Sequence, residues 1–550
     1  MGHRACGWTR RGLITTGLVA LALPAGAAVA APSTAPAGPD NVIVFIGDGM
    51  GYNHVASTNL FETGQTDYQV STDASGGVRA LPGEAVQVYE TWDAVAMATH
   101  QYGNSYDPQR AWADFGYVRE NATDSAAAGT ALATGVKTLN GVIGLDHEGN
   151  RIENLSERAI ATGRSAGVVS SVPFSHATPA SYVAHNADRN DYHGVATEML
   201  DSDLSVIMGA GHPEFDDSNN RLAAPSYTYL TEADYARAKD GRTGLTFIED
   251  EAAFEALAAG EDVPERVFGL AQVASTLQQG RAVQGEENLP YDTPLNAGVP
   301  DLPTMTEGAI NVLEQDDDGF FLMVEGGAID WTGHANDTAR NIEETQDFNA
   351  AVEAAVEWVE SAESEAAWED TLIIVTADHE TGYLAGADSD PTWTPMTGAA
   401  GELPVVDWYS GNHTNALVPV FAKGIGADTL LARATGTDEV RGAYLDNTDL
   451  ANVLLEELWA PSPASAAAEL SASVRGYVSA GEVAGPIAHQ LQSSADQAQR
   501  HLEGGRTAPA AAALERFTRH LDTPKRPDTL TDEAREDLRT RASDVVARLG

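Results

Sequence analysis

Ser125 lies in the run Thr123-Asp124-Ser125-Ala126-Ala127-Ala128-Gly129-Thr130, just ahead of small helix-forming residues. A serine there marks a helix N-terminus, with free backbone N–H groups and the positive end of the helix dipole close by. That place suits an oxygen nucleophile that must meet an anion, although for the segment alone a plain N-cap is the commoner explanation. Other segments change the balance. They carry Asp48, His176, Glu325, Asp330, His334, Asp378, His379 and His413, each at or just beyond the end of an apolar run. Any one of these has a dull explanation as a turn residue or cap, but eight at one edge of a sheet do not share one easily. Imidazole with carboxylate suits zinc, and carboxylate with hydroxyl suits magnesium. Arg189 stands ten residues after Pro179; alone it reads as a surface charge, and His185 reads as packing or capping.

The elements that must position these groups are legible as buried strands. Asn41 to Ile46 is a β-branched run that ends in Gly47-Asp48-Gly49-Met50-Gly51. Ala166 to Val172 precedes His176-Ala177-Thr178-Pro179-Ala180, and Gly319 to Val324 leads to Glu325. Thr371 to Thr376 leads to Asp378-His379, and His413 stands before the run Leu417 to Ala422. Leu204 to Met208 is another short strand. Asp330 and His334 are four apart and point to one side if a helical turn begins there. Phe348, Val352, Ala355, Val356 and Val359 recur at helical spacing, and a helix from Ser125 runs to Gly135. The fold class expected is α/β, a central, mostly parallel sheet flanked by helices, with ligands at the carboxyl ends of its strands. Residues 52–120 read as an irregular surface insertion with little chemistry, and 212–300 as an acidic stretch without an assignable pattern.

With 550 residues and 43% hydrophobic content, the chain can bury a large core. Its formal charge of −49 argues against nucleic acid as a partner and repels phosphorylated substrates at long range. An anion site must therefore bring its own positive charge, from metals or arginine. Residues 1–30 read as an export signal: Arg4, Arg10 and Arg11 precede the apolar run Leu13 to Leu23, and Ala28-Val29-Ala30 offers a cleavage site. Thr9-Arg10-Arg11 with Leu13-Ile14 looks like a twin-arginine signal, with ordinary Sec export also open. The expected destination is extracellular or cell-wall associated. The only cysteine, Cys6, lies in this leader, so the mature chain would have no disulfide. No later run is long enough to span a bilayer. After a catalytic body over 31–460, Pro461-Ser462-Pro463 and an Ala/Ser-rich run read as a linker. Residues 461–550 hold 11 Lys and Arg against 12 Asp and Glu, and read as a small all-helical module with Ile487, Leu491, Ala511, Leu514, Phe517 and Leu521 on its seams.

Taken together, these segments resemble the alkaline phosphatase family of zinc/magnesium phosphomonoesterases. The resemblance runs through D-G-M-G at Asp48, T-D-S-A-A-A-G-T-A at Ser125 and H-A-T-P at His176. It continues through V-E-G-G-A-I-D-W-x-x-H from Glu325 to His334, T-A-D-H-E-T-G at Asp378 and N-H-T at His413, and covers roughly residues 41–456 in order. It implies Ser125 as a nucleophile that forms a covalent phosphoserine. It implies one zinc on Asp330, His334 and His413, activating water, and a second on Asp48, Asp378 and His379, activating Ser125. A third site, usually magnesium, would use His176, Thr178 and Glu325 with Asp48 shared. Arg189 would clamp two phosphate oxygens, oriented by Asp124. The partners implied are small phosphorylated molecules, and a homodimer is left open. The tail resembles the FIMAH-type helical module appended to some secreted bacterial enzymes.

Two positions depart from the enterobacterial form of the family and are similar to Bacillus-like branches. His176 stands in place of Asp, which softens the third site so that zinc or cobalt competes there with magnesium. Trp331 stands in place of Lys, which removes a phosphate-facing cation. Two enzyme alternatives lie within the same superfamily. A sulfatase needs Cys or Ser in a C/S-x-P-x-R context, which Asp124 to Ala128 lacks. A phosphodiesterase usually carries Thr as nucleophile and has no third metal site. The non-enzyme alternative is a secreted phosphate- or metal-binding protein without turnover. Zinc content measured together with aryl phosphate hydrolysis separates all of these.

Overall fold

The computed structural model describes residues 38–284, 288–362, 364, 366–459, 463–523 and 529–549. The leader expected over 1–30 and the linker around 461 lie outside the described residues.

The apolar runs form the strands that their composition predicts. Asn41–Gly47, Phe320–Gly326 and Thr371–Thr376 are buried almost throughout, which requires cover on both sheet faces. They belong to an eleven-stranded sheet. Seven neighbouring strands are parallel, in the order Thr371–Thr376, Asn41–Gly47, Phe320–Gly326, Ser165–Pro173, Val206–Ala210, Val267–Leu270 and Thr246–Ile248. Val418–Gly424 pairs antiparallel with Thr371–Thr376 and leads to a mixed edge. In register, Ile46 lies beside both Thr376 and Glu325, and Ser170 lies on the other side of Glu325. These central parallel strands therefore end level with one another, and the turns that leave them meet at one edge. The helix Thr338–Glu360 packs against the central strands, with Phe348 edge-on to Phe45 at 6.1 Å. Among the described residues, no helix is long and apolar enough to cross a membrane.

Two stretches are more ordered than the sequence suggests. Within 52–120, Tyr52–Thr63 is a helix and Asp93–Ala98 is a strand of the main sheet, between Val418–Gly424 and Gly442–Asp446. The helix buries His54, Ser57, Thr58 and Asn59 beside its apolar residues, so no apolar stripe marks it. The strand reads Asp-Ala-Val-Ala-Met-Ala, a composition with little strand preference. Within 212–300, two short helices and the strands Thr246–Ile248 and Val267–Leu270 complete the far edge of the sheet.

The tail forms the helices Pro463–Ala480, Pro486–Glu503, Thr507–Asp522 and Asp532–Ala547, with a small pairing of Val483–Ala484 with Thr529–Leu530. Leu470, Leu491, Leu514, Phe517 and Leu538 build a core of their own. Ala510 and Ala513 are buried there, while Ala511 is half-buried, a small shift from the expected seam. Trp459 belongs to the main core instead, and its Nε1 donates to the Pro39 carbonyl at 2.7 Å.

The helix Thr338–Glu360 also buries charge. Arg281 pairs with Glu343 at 2.8 Å, with Arg340 close to the same carboxylate. Burial first, then the charges of Asp347 and Glu343, push Glu344 up to about 8 against the opposing pull of Arg281 and Arg340. A carboxyl raised in the folded state holds its proton after the unfolded chain has lost it. Stability is thus fully present below the ordinary carboxylate range and is lost as pH rises through about 8.

This packing makes two outcomes measurable. Glu344→Gln should flatten the decline of stability between about pH 5 and 8 in denaturant titrations at each pH; an unchanged slope would show that Glu344 ionises freely. Phe517→Ala should cost the helical tail about 3–5 kcal/mol and abolish its calorimetric transition while the main-core transition stays in place. A common shift of both would mean that tail and sheet unfold as one unit.

Candidate metal and nucleophile site

At the end of Asn41–Gly47, the chain turns through Asp48-Gly49 with Gly49 at φ +72°. A Cβ on Gly49 would stand 2.7 Å from Thr381 Oγ1 and 3.0 Å from Asp330 Cα, so glycine is required by both conformation and space. Its N–H donates to Asp378 Oδ1 at 3.2 Å, which ties two strand ends together.

Ser125 is the first residue of the helix Ser125–Thr134, and the cap itself is Asp124. Asp124 Oδ1 accepts from Ala127 N at 2.9 Å, while Oδ2 accepts from Gly141 N at 2.9 Å and from Arg189 Nη1 at 3.0 Å. The capping task thus falls on Asp124, and the buried Ser125 Oγ is left to face His379 Nε2 at 3.3 Å. Arg189 is further fixed by its own N–H to the Gly141 carbonyl, at 2.8 Å. Burial opposes its charge, but Asp124 more than compensates and holds it firmly protonated.

Two groups of donors converge around this serine. In Asp330, His334 and His413, as in Asp48, Asp378 and His379, one ligand atom per residue lies within 4.8 Å of the others. Asp330 and His334 share the helix Ala328–Ala335, as their spacing predicts. His334 Nδ1 faces the Gly411 carbonyl at 2.8 Å and His413 Nδ1 the Thr123 carbonyl at 2.9 Å. Those contacts fix the ring orientations and leave the two Nε2 atoms aimed at each other, 3.1 Å apart. Two lone pairs so placed suit a shared cation. In the other group, His379 Nε2 is 3.3 Å from Asp378 Oδ2 and 3.5 Å from Asp48 Oδ1. Asp48 Oδ1 and Asp378 Oδ2 are buried without a hydrogen bond, as is Glu325 Oε1. Burial and then neighbouring carboxylates push Asp378 up to about 6, and burial pushes Glu325 up to about 7. Asp48 is raised for the same reasons. Unpartnered buried oxygens that repel one another fit bound cations.

The remaining expected residues are placed less tightly. Thr178 Oγ1 donates to Asp48 Oδ2 at 3.4 Å, and Ser170 Oγ to Glu325 Oε2. Among the described residues, Asp48, His176 and Glu325 do not close into a third group of the same compactness. The buried ring of His176 stacks toward Tyr192 at 6.2 Å and meets Trp331 edge-on at 5.8 Å, with Nδ1 lacking a partner. Burial, then Arg189, lowers its pKa to about 3, which keeps the imidazole neutral and able to bind a metal. His185 instead sits against Glu198 at 3.2 Å and the Ile152 carbonyl at 2.8 Å, away from both groups.

Ser125, Arg189, His176 and the Asp330, His334 and His413 group line a basin of about 690 Å³ together with Trp331 and others, while Asp48, Asp378 and His379 are buried and do not line it. Arg119, Asn140 and Asn412 also line it; sequence reasoning gave none of them a role, Arg119 because it falls in a stretch read as irregular and Asn412 although it stands in the N-H-T run at His413. Thr381 was missed as well: its Oγ1 donates to Asp330 Oδ1 at 2.5 Å and lies 3.3 Å from His379 Nδ1, linking the two groups. The only sequence signal was its place two residues after His379.

Comparison with known proteins gives the family and the fold. The FIMAH domain model matches residues 467–547. Two curated relatives from Bacillus subtilis, alkaline phosphatase 4 and alkaline phosphatase 3, are 32% and 29% identical. Each match covers 64% of this chain and spans 64% of the relative's own length. The solved structure of a cold-active alkaline phosphatase from a psychrophilic Shewanella species shares the fold, with a TM-score of 0.55 at 24% identity over 76% of this chain and 99% of that one. The alkaline phosphatase family model matches residues 39–402, which hold eight of the sheet's eleven strands and both donor groups except His413, and the chain belongs to that family.

Proposed function

We propose that the protein is a secreted, metal-dependent phosphomonoesterase, which hydrolyses phosphate monoesters to alcohol and inorganic phosphate through a phosphoserine. The observation that carries this reading is Ser125 Oγ at the first turn of a helix, in one basin with Arg189 and the Asp330, His334 and His413 group, and 3.3 Å from His379 Nε2 of the other donor group. Family membership supports it.

Ser125 Oγ attacks phosphorus and the bond to the alcohol oxygen breaks. Water then attacks the phosphoserine, releasing inorganic phosphate and restoring the serine. The helix N-terminus and Arg189, held by Asp124, orient the phosphate and offset its charge. Asp330, His334 and His413 would hold one zinc, and Asp48, Asp378 and His379 a second. Bound there, such ions supply Lewis acidity and lower the pKa of hydroxyl and water. Asp48, Thr178 and Glu325, with His176, would hold the third ion, magnesium or a softer competitor. In this reading residues 1–30 direct export, 31–460 carry the chemistry, and 461–550 form the appended helical module.

Zinc-loaded protein should hydrolyse 4-nitrophenyl phosphate, and Ser125→Ala should lower kcat by about 10³-fold or more while keeping its zinc. A variant that turns over like the parent, with no phosphoserine trapped from the parent at low pH, would remove Ser125 from the role. After chelation, the parent should regain activity with zinc plus cobalt at least as well as with zinc plus magnesium, and His176→Asp should shift both metal content and activity toward magnesium. The same magnesium response in both proteins would show that His176 does not set that selectivity.

A further inference from the structure

We propose that Arg119 forms a second anion subsite at the rim of the Ser125 basin, one that favours phosphate monoesters whose alcohol carries a second phosphate. The proposal rests on the phosphomonoesterase reading and adds the substrate class. Arg119 is exposed and lines the same basin as Ser125 and Arg189. Its Nε donates to the Phe115 carbonyl and its Nη1 to the Tyr409 carbonyl, both at 2.8 Å. These two bonds fix the guanidinium plane through neutral acceptors, so its charge is not spent on them. Among the described residues, no carboxylate lies within ion-pair distance of it. The adjacent Glu120 faces Arg110 at 4.0 Å instead.

The rim that carries Arg119 is held in place. Asn415 N donates to the Val118 carbonyl at 2.6 Å and Asn415 Nδ2 to the Glu120 carbonyl at 2.7 Å. Binding therefore need not order a long side chain from scratch, the usual cost of an arginine contact. The division of labour also points outward. Arg189 is engaged by Asp124 beside the serine, whereas Arg119 belongs to the segment stitched to residues 409–415. A basin of about 690 Å³ has room beyond the reacting phosphate for the rest of a small phosphorylated molecule. In a chain with 32 Lys and Arg against 81 Asp and Glu, an uncompensated guanidinium at this rim is a specific attraction for a second anion.

The test is calorimetric titration of zinc-loaded Ser125→Ala protein with fructose 1,6-bisphosphate and with fructose 6-phosphate. The bisphosphate should bind about tenfold more tightly, beyond the roughly twofold statistical gain of having two phosphates. Adding Arg119→Gln should reduce that preference to about the statistical value, and Arg119→Lys should restore part of it. A preference that survives Arg119→Gln, or equal weakening of both ligands, would overturn the subsite and leave Arg119 as a staple to Tyr409. Failure of the parent protein to hydrolyse 4-nitrophenyl phosphate would overturn the phosphomonoesterase reading separately, because the binding ratio needs no turnover.

Discussion

Four carboxylates, Asp48, Glu325, Asp330 and Asp378, are buried at the carboxyl edge of one parallel sheet. Water cannot solvate them there, and their mutual repulsion adds to the cost of burial. The rest of the site consists of responses to that constraint. Asp330 has three histidines around it, His334, His379 and His413, and these hold its carboxyl well below the ordinary range despite burial. Glu325 accepts from Ser170, and Thr381 bridges Asp330 and His379. Asp48 and Asp378 retain unpartnered oxygens, and it is there that the donors best suit cations. Such an arrangement is costly for the fold itself, which is expected where a site is built for ligands and the large core supplies the stability.

The sheet makes this convergence possible by register. Ile46, Glu325 and Thr376 lie side by side, so one residue of slip in any of the three strands would move its ligand by about 3.3 Å. It would also turn Glu325 to the opposite face. The continuous apolar strands resist slip because both faces are covered, as the edge-on contact of Phe45 with Phe348 illustrates. Packing far from the basin thus sets the distances within it. The helices then add what the strands cannot: Ser125 at a first turn, and Asp330 with His334 one turn apart.

Much of this was legible in the sequence because several candidate ligands lie at or just past strand ends, and those ends are marked by apolar runs that stop near Gly, Glu or Asp. Asp48, Asp378 and His379 follow such ends, Glu325 lies one residue before the end of its own strand, and the family resemblance supplied their expected roles. The cap was harder. A serine before three alanines looks like the N-cap, yet Asp124 takes that place, and only its three simultaneous acceptor contacts show why. The helix Tyr52–Thr63 escaped because it buries polar residues and so lacks a periodic stripe, and Asp93–Ala98 because alanine does not announce a strand. Arg119 and Thr381 depend on contacts across hundreds of residues, or on a neighbour's side chain, which no local pattern encodes. A change of charge near residue 460 suggests a boundary in the sequence; the structure shows the helices from Pro463 packing a core of their own and Trp459 packing in the main core, hydrogen-bonded to Pro39.

The acidity of the chain and its taste for anions are reconciled by distance. A net charge of −49 repels a phosphate ester from afar, but salt screens such fields over about 8–10 Å. Inside the basin the acidic groups are answered locally: Asp124 pairs with Arg189, and Asp330 is ringed by histidines. Arg189 lies beside the serine, Arg119 at the rim, and the Asp330, His334 and His413 group that lines the basin is shaped for a cation. On the proposed reading, a phosphate that crosses the screened layer would meet these groups where Ser125 is presented. The same acidic charge that slows the approach would, on that reading, also limit unproductive binding outside the basin.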